Sequence, residues 1–110
     1  MMTETFLYLT TFGHKSGNPH NIEIWYVEHD GRYYMVSEMR ENSHWVKNIL
    51  KNPQVEFSVG TREDKNALVA HHHATGRIIT LDNEPHIHQT VSAKMDTKYN
   101  WSDGLIVEVA

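Results

Sequence analysis

The chain has 110 residues, enough for one domain that buries roughly 65% of its unfolded surface but too few for two independent cores. Its composition, 39% hydrophobic and 22% charged, is typical of a folded soluble protein, and a net charge of −4 with scattered Lys and Arg argues against a nucleic-acid partner. The lack of cysteine excludes disulfides and thiolate chemistry, and because neither a signal peptide nor an apolar run long enough for a membrane span is visible, we expect a cytosolic protein.

Three strands are predicted in the first third of the chain. Residues 5–11 are rich in Thr, Phe, Tyr and Leu and stop just before Gly13, as a first strand would. Residues 21–29 predict a second strand, in which successive side chains point to opposite faces. Both faces would carry apolar side chains, so we expect this strand to be buried on both. Asp30-Gly31 is typical of a tight hairpin turn, so a third strand should run through Tyr33, Tyr34, Met35 and Val36.

A short helix and two further strands follow. Ser43 can cap the helix, and Asn52-Pro53 should end it. Residues 55–59 alternate as a fourth strand, and residues 60–66 read as a polar loop. Residues 67–81 predict a long strand bent near Gly76.

The chain should end with an amphipathic helix and a strand. Pro85 can begin the helix, whose buried stripe recurs every fourth residue at Ile87, Val91, Met95 and Tyr99. Residues 105–109 form the last predicted strand. Tight connections favour an antiparallel sheet, and six strands in so short a chain favour a closed or nearly closed barrel, because closure removes exposed strand edges. We therefore expect one mainly β domain with short helices over residues 1–110.

The segment FGHKSGNPH combines two glycines with a basic and a hydroxyl side chain. Backbone N–H groups in such a turn can form a nest for an anion, to which Lys15 and Ser16 would add a charge and a hydroxyl. A plain hairpin turn with a solvated lysine is the competing interpretation, because the segment lacks the phosphate-loop signature and no helix follows it. The residues alone leave both interpretations open.

The nine histidines and the aromatic residues offer weaker signals. On a strand, His71 and His73 would share a face while His72 points away, and two histidines do not complete a zinc site. We therefore expect no functional metal. No hydrolytic machinery is visible, and the many Trp and Tyr side chains could pack in a core, form a dimer interface or stack on a flat cofactor.

Three segments taken together resemble the split-β-barrel flavin and deazaflavin oxidoreductases: LTTFGHKSGNPHNIEIWYV, DGRYYMVSE and HWVKNILKNPQVEFSVG. The similarity is greatest to the branch that contains the deazaflavin-dependent nitroreductases, within the pyridoxamine-phosphate-oxidase-like, FMN-binding fold. That family carries Thr-Thr-x-Gly-Arg-Lys-Ser/Thr-Gly between two strands and a Trp-x-x-Asn helix followed by Asn-Pro. Here these motifs stand at residues 10–17 and 45–53.

The resemblance implies a six-stranded antiparallel split β-barrel that forms a homodimer and binds FMN or an F-420-type deazaflavin between subunits. It implies these cofactor contacts: His14, Lys15, Ser16 and Gly17 at the phosphate; Ile24, Trp25, Val36 and Ser37 at the ring or ribityl chain; Trp45 and Asn48 at the groove wall. Tyr99 and Trp101 would lie on the substrate side. The implied activity is hydride transfer to a quinone, nitro or other conjugated acceptor, with no catalytic residue identified.

Three features depart from the family pattern. His14 replaces the usual Arg and so loses a permanent charge and bidentate phosphate geometry. Glu23 stands in the region where the nitroreductases usually have Pro-Leu. The loop over residues 37–43 is shorter than in the family, and its Glu38 lies near a position that is often basic. Two other hypotheses remain: a non-enzymatic barrel that stores, carries or senses a flavin or a haem with an axial histidine, and a metal-binding protein centred on His71 and His73.

Overall fold

The structure, a computed structural model, describes residues 5–63 and 72–110. Within these ranges the elements are, in chain order, β1 (Phe6–Phe12), β2 (Pro19–Ile24), β3 (Val27–His29), β4 (Arg32–Ser37), a 3-10 turn (Arg40–Asn42), α1 (His44–Lys51), β5 (Gln54–Gly60), β6 (His72–Ile79), α2 (Pro85–Tyr99) and β7 (Leu105–Val109). The end of the loop predicted at residues 60–66 and the start of the strand predicted at residues 67–81 lie outside the described residues.

The strands form one antiparallel sheet in the order β2-β1-β5-β6-β7-β4-β3. The two outermost strands, β2 and β3, are consecutive in the chain, so the chain itself joins the two ends of the sheet at Trp25 and Tyr26. The sheet therefore curls into a nearly closed barrel, and the predicted antiparallel split-barrel fold is confirmed.

The predicted count of six strands is wrong, because the second strand is two strands. At the break, the backbone N–H of Tyr26 donates to the Tyr99 hydroxyl at 3.1 Å, and the Tyr26 carbonyl accepts from that hydroxyl and from Lys98 Nζ, each at 2.9 Å. Side chains of α2 thus take the place of a neighbouring strand at this residue. The expected burial on both faces is also wrong for β2, whose side chains are exposed or half-buried.

Two apolar clusters flank β7. One, which includes Leu7, Met35 and Val107, is covered by α1, and the other, which includes Tyr34, Ile106 and Val91, is covered by α2. Because β7 lies between β6 and β4 with a cluster on each face, all five of its residues are buried. The predicted stripe of α2 is confirmed, since Val91 and Met95 are fully buried.

The turn and cap predictions had different outcomes. Asp30 and Gly31 adopt φ angles of 54° and 75°, as the tight hairpin between β3 and β4 requires. Ser43 is the N-cap residue of α1, but its side chain makes no capping hydrogen bond. Its hydroxyl lies 2.6 Å from that of Ser37, which already donates to the Arg40 carbonyl, so Ser43 must be the donor.

Candidate functional site

Two adjoining cavities form one groove along the barrel. The first, which we call the basic cavity, has a volume of about 910 Å³ and lies between the β1–β2 turn and α1. The second, which we call the aromatic cavity, has a volume of about 720 Å³ and lies between the end of β2, the end of β4 and the segment that follows α2. Met39, Ser43 and Trp45 line both cavities, which places these residues at the junction.

The β1–β2 turn is held by its own backbone. The N–H of Gly13 donates to the Asn18 carbonyl, and the N–H of Gly17 donates to the Gly13 carbonyl, both at 2.8 Å. Gly17 has a φ of 75°, which suits glycine. Within the described residues, the N–H groups of Lys15 and Ser16 have no protein acceptor. The nest expected from the sequence thus reduces to two consecutive N–H donors at the tip of the turn.

Asn48 fastens this turn to α1. Its Oδ1 accepts from the backbone N–H of His14 at 2.9 Å and lies 2.7 Å from His14 Nδ1. Its Nδ2 donates to the Thr11 hydroxyl at 2.9 Å, and the whole side chain is 2% exposed. Since an amide oxygen cannot donate, Nδ1 of His14 carries a hydrogen, and Nε2 can donate to an anion only when the imidazole is protonated.

Basic side chains surround the first cavity. Lys15, His14, His20 and His44 line it, and no carboxylate occurs among its lining residues in the described part of the chain. The rings of His14 and His44 stack at 6.2 Å between centroids. This end of the groove is therefore suited to an anion, because a lysine, three histidines and a turn with two free N–H groups line one space whose described lining holds no carboxylate.

The aromatic cavity contains a rigid ring pair. Trp25 stacks on Tyr99 with 4.4 Å between ring centroids and 4° between ring planes. The Tyr99 hydroxyl is fixed by its bonds to the Tyr26 backbone, so the pair is held where β2 ends. Trp25 is 40% exposed, an unusual exposure for such a large apolar ring, and Trp101 lines the same cavity.

Charged side chains lie at the edge of the aromatic cavity. Glu23 Oε1 is 2.8 Å from Arg62 Nη2, and the Tyr8 hydroxyl donates to Glu23 Oε2 at 3.0 Å. The hydrogen bond from Arg62 lowers the pKa of Glu23, so its carboxylate is ionised at neutral pH. Burial, and then the bond to Glu23, raise the pKa of Tyr8. Glu38 is exposed, and its carboxylate has no hydrogen-bond or ion-pair partner in the described ranges.

The structure brings the residues predicted from the sequence into this one groove. His14, Lys15, Ser16, Trp45 and Asn48 line the basic cavity, and Ile24, Trp25, Val36, Ser37, Trp45, Tyr99 and Trp101 line the aromatic cavity. Gly17 lines neither cavity, and its φ of 75° shapes the turn beside them. Ser37 is 2% exposed with its hydroxyl already bonded, and so is better suited to positioning than to binding. The roles of all these residues remain predictions.

Sequence reasoning missed several lining residues. His20 and His44 in the basic cavity, and Phe6 and Arg62 in the aromatic cavity, were not singled out. His20 pairs with Thr11 across the β1–β2 hairpin. An estimate of the hairpin register from the sequence could therefore have indicated His20. Arg62 follows β5 and reaches Glu23 across β1, a distance of 39 residues in sequence that no local pattern reveals.

The two described residues of the histidine run, His72 and His73, line neither cavity of this groove. His71 lies outside the described residues, His72 packs against the Phe57 ring at 5.6 Å, and His73 is exposed. Residues 5–63 and 72–110 contain no group of three His, Asp or Glu side chains placed to hold a metal ion. The described helices are also too short or too polar to cross a membrane.

Comparisons with known proteins identify the family and the fold. The profile of the F420H(2)-dependent quinone reductase family matches residues 1–100 of this chain. Among solved structures, the chain is similar to the haem storage protein HutZ from Vibrio cholerae, with a TM-score of 0.71, 17% identity and coverage of 94% of this chain and 79% of that chain.

Two further structures share the fold. A candidate pyridoxamine 5'-phosphate oxidase from Listeria innocua matches with a TM-score of 0.70 and 11% identity over 96% of this chain and 82% of that chain. An F420-H2 dependent reductase, FDR-A, matches with a TM-score of 0.56 and 23% identity over 96% of this chain and 93% of that chain. At these identities the likeness establishes the split-barrel fold and no shared ligand.

Proposed function

The chain belongs to the F420H(2)-dependent quinone reductase family, and we propose that it is a deazaflavin-dependent reductase that delivers hydride to a quinone, a nitro compound or another conjugated acceptor. The observation that carries this proposal is the contrast between the two ends of the groove. One end presents a lysine, three histidines and two free N–H groups, and the other presents stacked aromatic rings. A cofactor with a phosphate at one end and a flat ring at the other fits that arrangement.

The basic cavity would hold the phosphate. The N–H groups of Lys15 and Ser16 and the Lys15 ammonium would bind it, and protonated His14 would add a further donor. Asn48 would act by fixing the turn that presents these groups. FMN carries a phosphate as well, and it is the competing cofactor that the experiment below separates from a deazaflavin.

The aromatic cavity would hold the ring. Ile24 and Val36 offer apolar surface on the barrel side, and the Trp25–Tyr99 pair offers a flat rigid surface on which a conjugated ring can stack for about 0.5–1.5 kcal/mol. Trp101 would help to exclude water on the acceptor side. A bound reduced deazaflavin supplies the hydride, so the chain's own residues orient the reactants and shield them.

We also propose a homodimer and, from the sequence, a cytosolic location. The described residues expose several large apolar side chains, with Leu50 at 59%, Leu81 at 57% and Trp25 at 40% exposure. Contact with a second subunit would bury such surface. Light scattering on the cofactor-loaded protein tests this, and a stable monomer with bound cofactor would contradict it.

The test of the proposed function begins with the absorption spectrum of untagged protein, because deazaflavin, flavin and haem absorb differently. A deazaflavin and FMN are then titrated into the wild-type protein and into Lys15→Ala. Lys15 is exposed and has no ion pair in the described residues, so its removal should leave the melting temperature unchanged. Loss of one charge-assisted contact, worth about 1.5–3 kcal/mol, should weaken deazaflavin binding by roughly tenfold to a hundredfold.

Lys51→Ala is the matched control, because Lys51 is exposed on the last turn of α1 and lines neither cavity. It removes the same charge and should leave affinity unchanged. Equal affinity of wild type and Lys15→Ala would return the β1–β2 turn to the plain-turn interpretation. A haem spectrum, or tighter binding of FMN than of a deazaflavin, would contradict the proposed cofactor.

A further inference from the structure

The charges around the aromatic cavity are unequal. Its described lining contains three charged side chains: the carboxylates of Glu23 and Glu38 and the guanidinium of Arg62. Arg62 and Glu23 form the 2.8 Å ion pair, so each largely cancels the field of the other. Glu38 lacks a partner in the described ranges and leaves one uncompensated negative charge.

The guanidinium of Arg62 is already paired with a carboxylate. Its Nε and Nη2 both lie against Glu23 Oε1, at 2.9 Å and 2.8 Å, and its guanidinium carbon lies 4.7 Å from the centre of the Phe6 ring. Glu23 is held in turn by the Tyr8 hydroxyl. An anionic acceptor would have to displace Glu23 to pair with the Nε–Nη2 edge of this arginine.

We propose that this end of the groove selects acceptors by charge, favouring uncharged or cationic conjugated acceptors over anionic ones, with Glu38 as the main specificity-determining residue and the Glu23–Arg62 pair as the second. This inference rests on the proposed function, because it assigns the acceptor to the aromatic cavity. The basic cavity has no carboxylate among its described lining residues, so the two ends of the groove sort ligands by opposite charge.

The expected effect is modest because Glu38 is exposed to water. Two unit charges about 6–8 Å apart at such an edge change an equilibrium roughly threefold to fivefold. High ionic strength should reduce that factor, because mobile ions screen exposed charges.

The experiment compares an uncharged naphthoquinone, menadione, with a naphthoquinone sulfonate. For wild type and each variant, kcat/KM is measured with both acceptors, and the anionic-to-neutral ratio is compared between proteins, which cancels the intrinsic reactivity of each quinone. Equilibrium binding of both acceptors to protein loaded with oxidised cofactor, measured by calorimetry, provides a readout without turnover. Glu41→Gln is the control, because Glu41 is exposed and lines neither cavity.

Glu38→Gln and Glu23→Gln should each raise the ratio about threefold to fivefold, and Arg62→Gln should lower it by a similar factor. Glu41→Gln should leave it unchanged. A ratio in Glu38→Gln that equals the Glu41→Gln value overturns the inference, as does failure of both acceptors to bind. If binding follows the charge order but neither acceptor is reduced, the proposed function fails and the charge selection stands.

Discussion

Replacing Asn48 with alanine should disconnect the β1–β2 turn from α1. The side chain is 2% exposed, and its amide accepts the His14 backbone N–H at 2.9 Å, meets His14 Nδ1 at 2.7 Å and donates to the Thr11 hydroxyl at 2.9 Å. Alanine removes all three contacts. Thr11 is 1% exposed, so water cannot readily replace its lost partner.

The magnitude follows from these contacts. Each lost hydrogen bond costs about 0.5–1.5 kcal/mol, with a larger penalty where a buried group is left unpaired, so the free energy of unfolding should fall by about 2–4 kcal/mol. Without these contacts, the β1–β2 turn of the variant would have to become ordered when the cofactor binds, at a cost in conformational entropy. We expect that cost to weaken deazaflavin binding roughly tenfold, which corresponds to about 1.4 kcal/mol.

Urea unfolding and deazaflavin titration measure the two effects separately. Asn52→Ala is a suitable control, because among the described residues the Asn52 side chain accepts a single exposed bond, from the Gln54 N–H at 3.2 Å, and it lines neither cavity. It should cost less than about 1 kcal/mol and leave binding unchanged. If Asn48→Ala is as stable as Asn52→Ala, or binds the cofactor as tightly as wild type, the positioning role assigned to Asn48 is refuted.

Two further predictions concern the barrel itself. Burial opposes the ionisation of Glu108, but hydrogen bonds from Arg77 and Tyr34 outweigh it and lower its pKa. The ionised group therefore stabilises the fold above an unfolded-state pKa near 4.5, and this contribution is lost as pH falls through the lower folded-state value. In urea unfolding between neutral pH and about pH 3, the free energy of unfolding should fall less with decreasing pH in Glu108→Gln than in wild type. An equal fall in the two proteins would contradict the reasoning. Gly104→Ala should lower stability by about 1–3 kcal/mol or more, because its Cβ would collide with the Ser37 carbonyl oxygen; a thermal melt equal to that of wild type would refute this.

The sequence determined the features that short-range backbone preferences control. Asp30 and Gly31 tolerate positive φ, so the hairpin between β3 and β4 was predictable from two residues. Pro85 at the start of α2 and the buried Val91 and Met95 follow from a fixed φ and a four-residue repeat. The motif around Lys15 predicted a turn between two strands for the same reason, but its local properties left an anion site and a plain turn both open, and the family resemblance favoured the anion site.

Only the tertiary structure decided the features that depend on distant hydrogen-bond partners. The second predicted strand is divided at Tyr26, because its backbone groups bond to Tyr99 and Lys98, which are 73 and 72 residues away. Ser43 has the side chain of a helix cap, yet its hydroxyl bonds to Ser37. Backbone and hydroxyl groups take whichever partner packing places within about 3 Å, and that partner is set by the closure of the barrel and not by neighbouring residues.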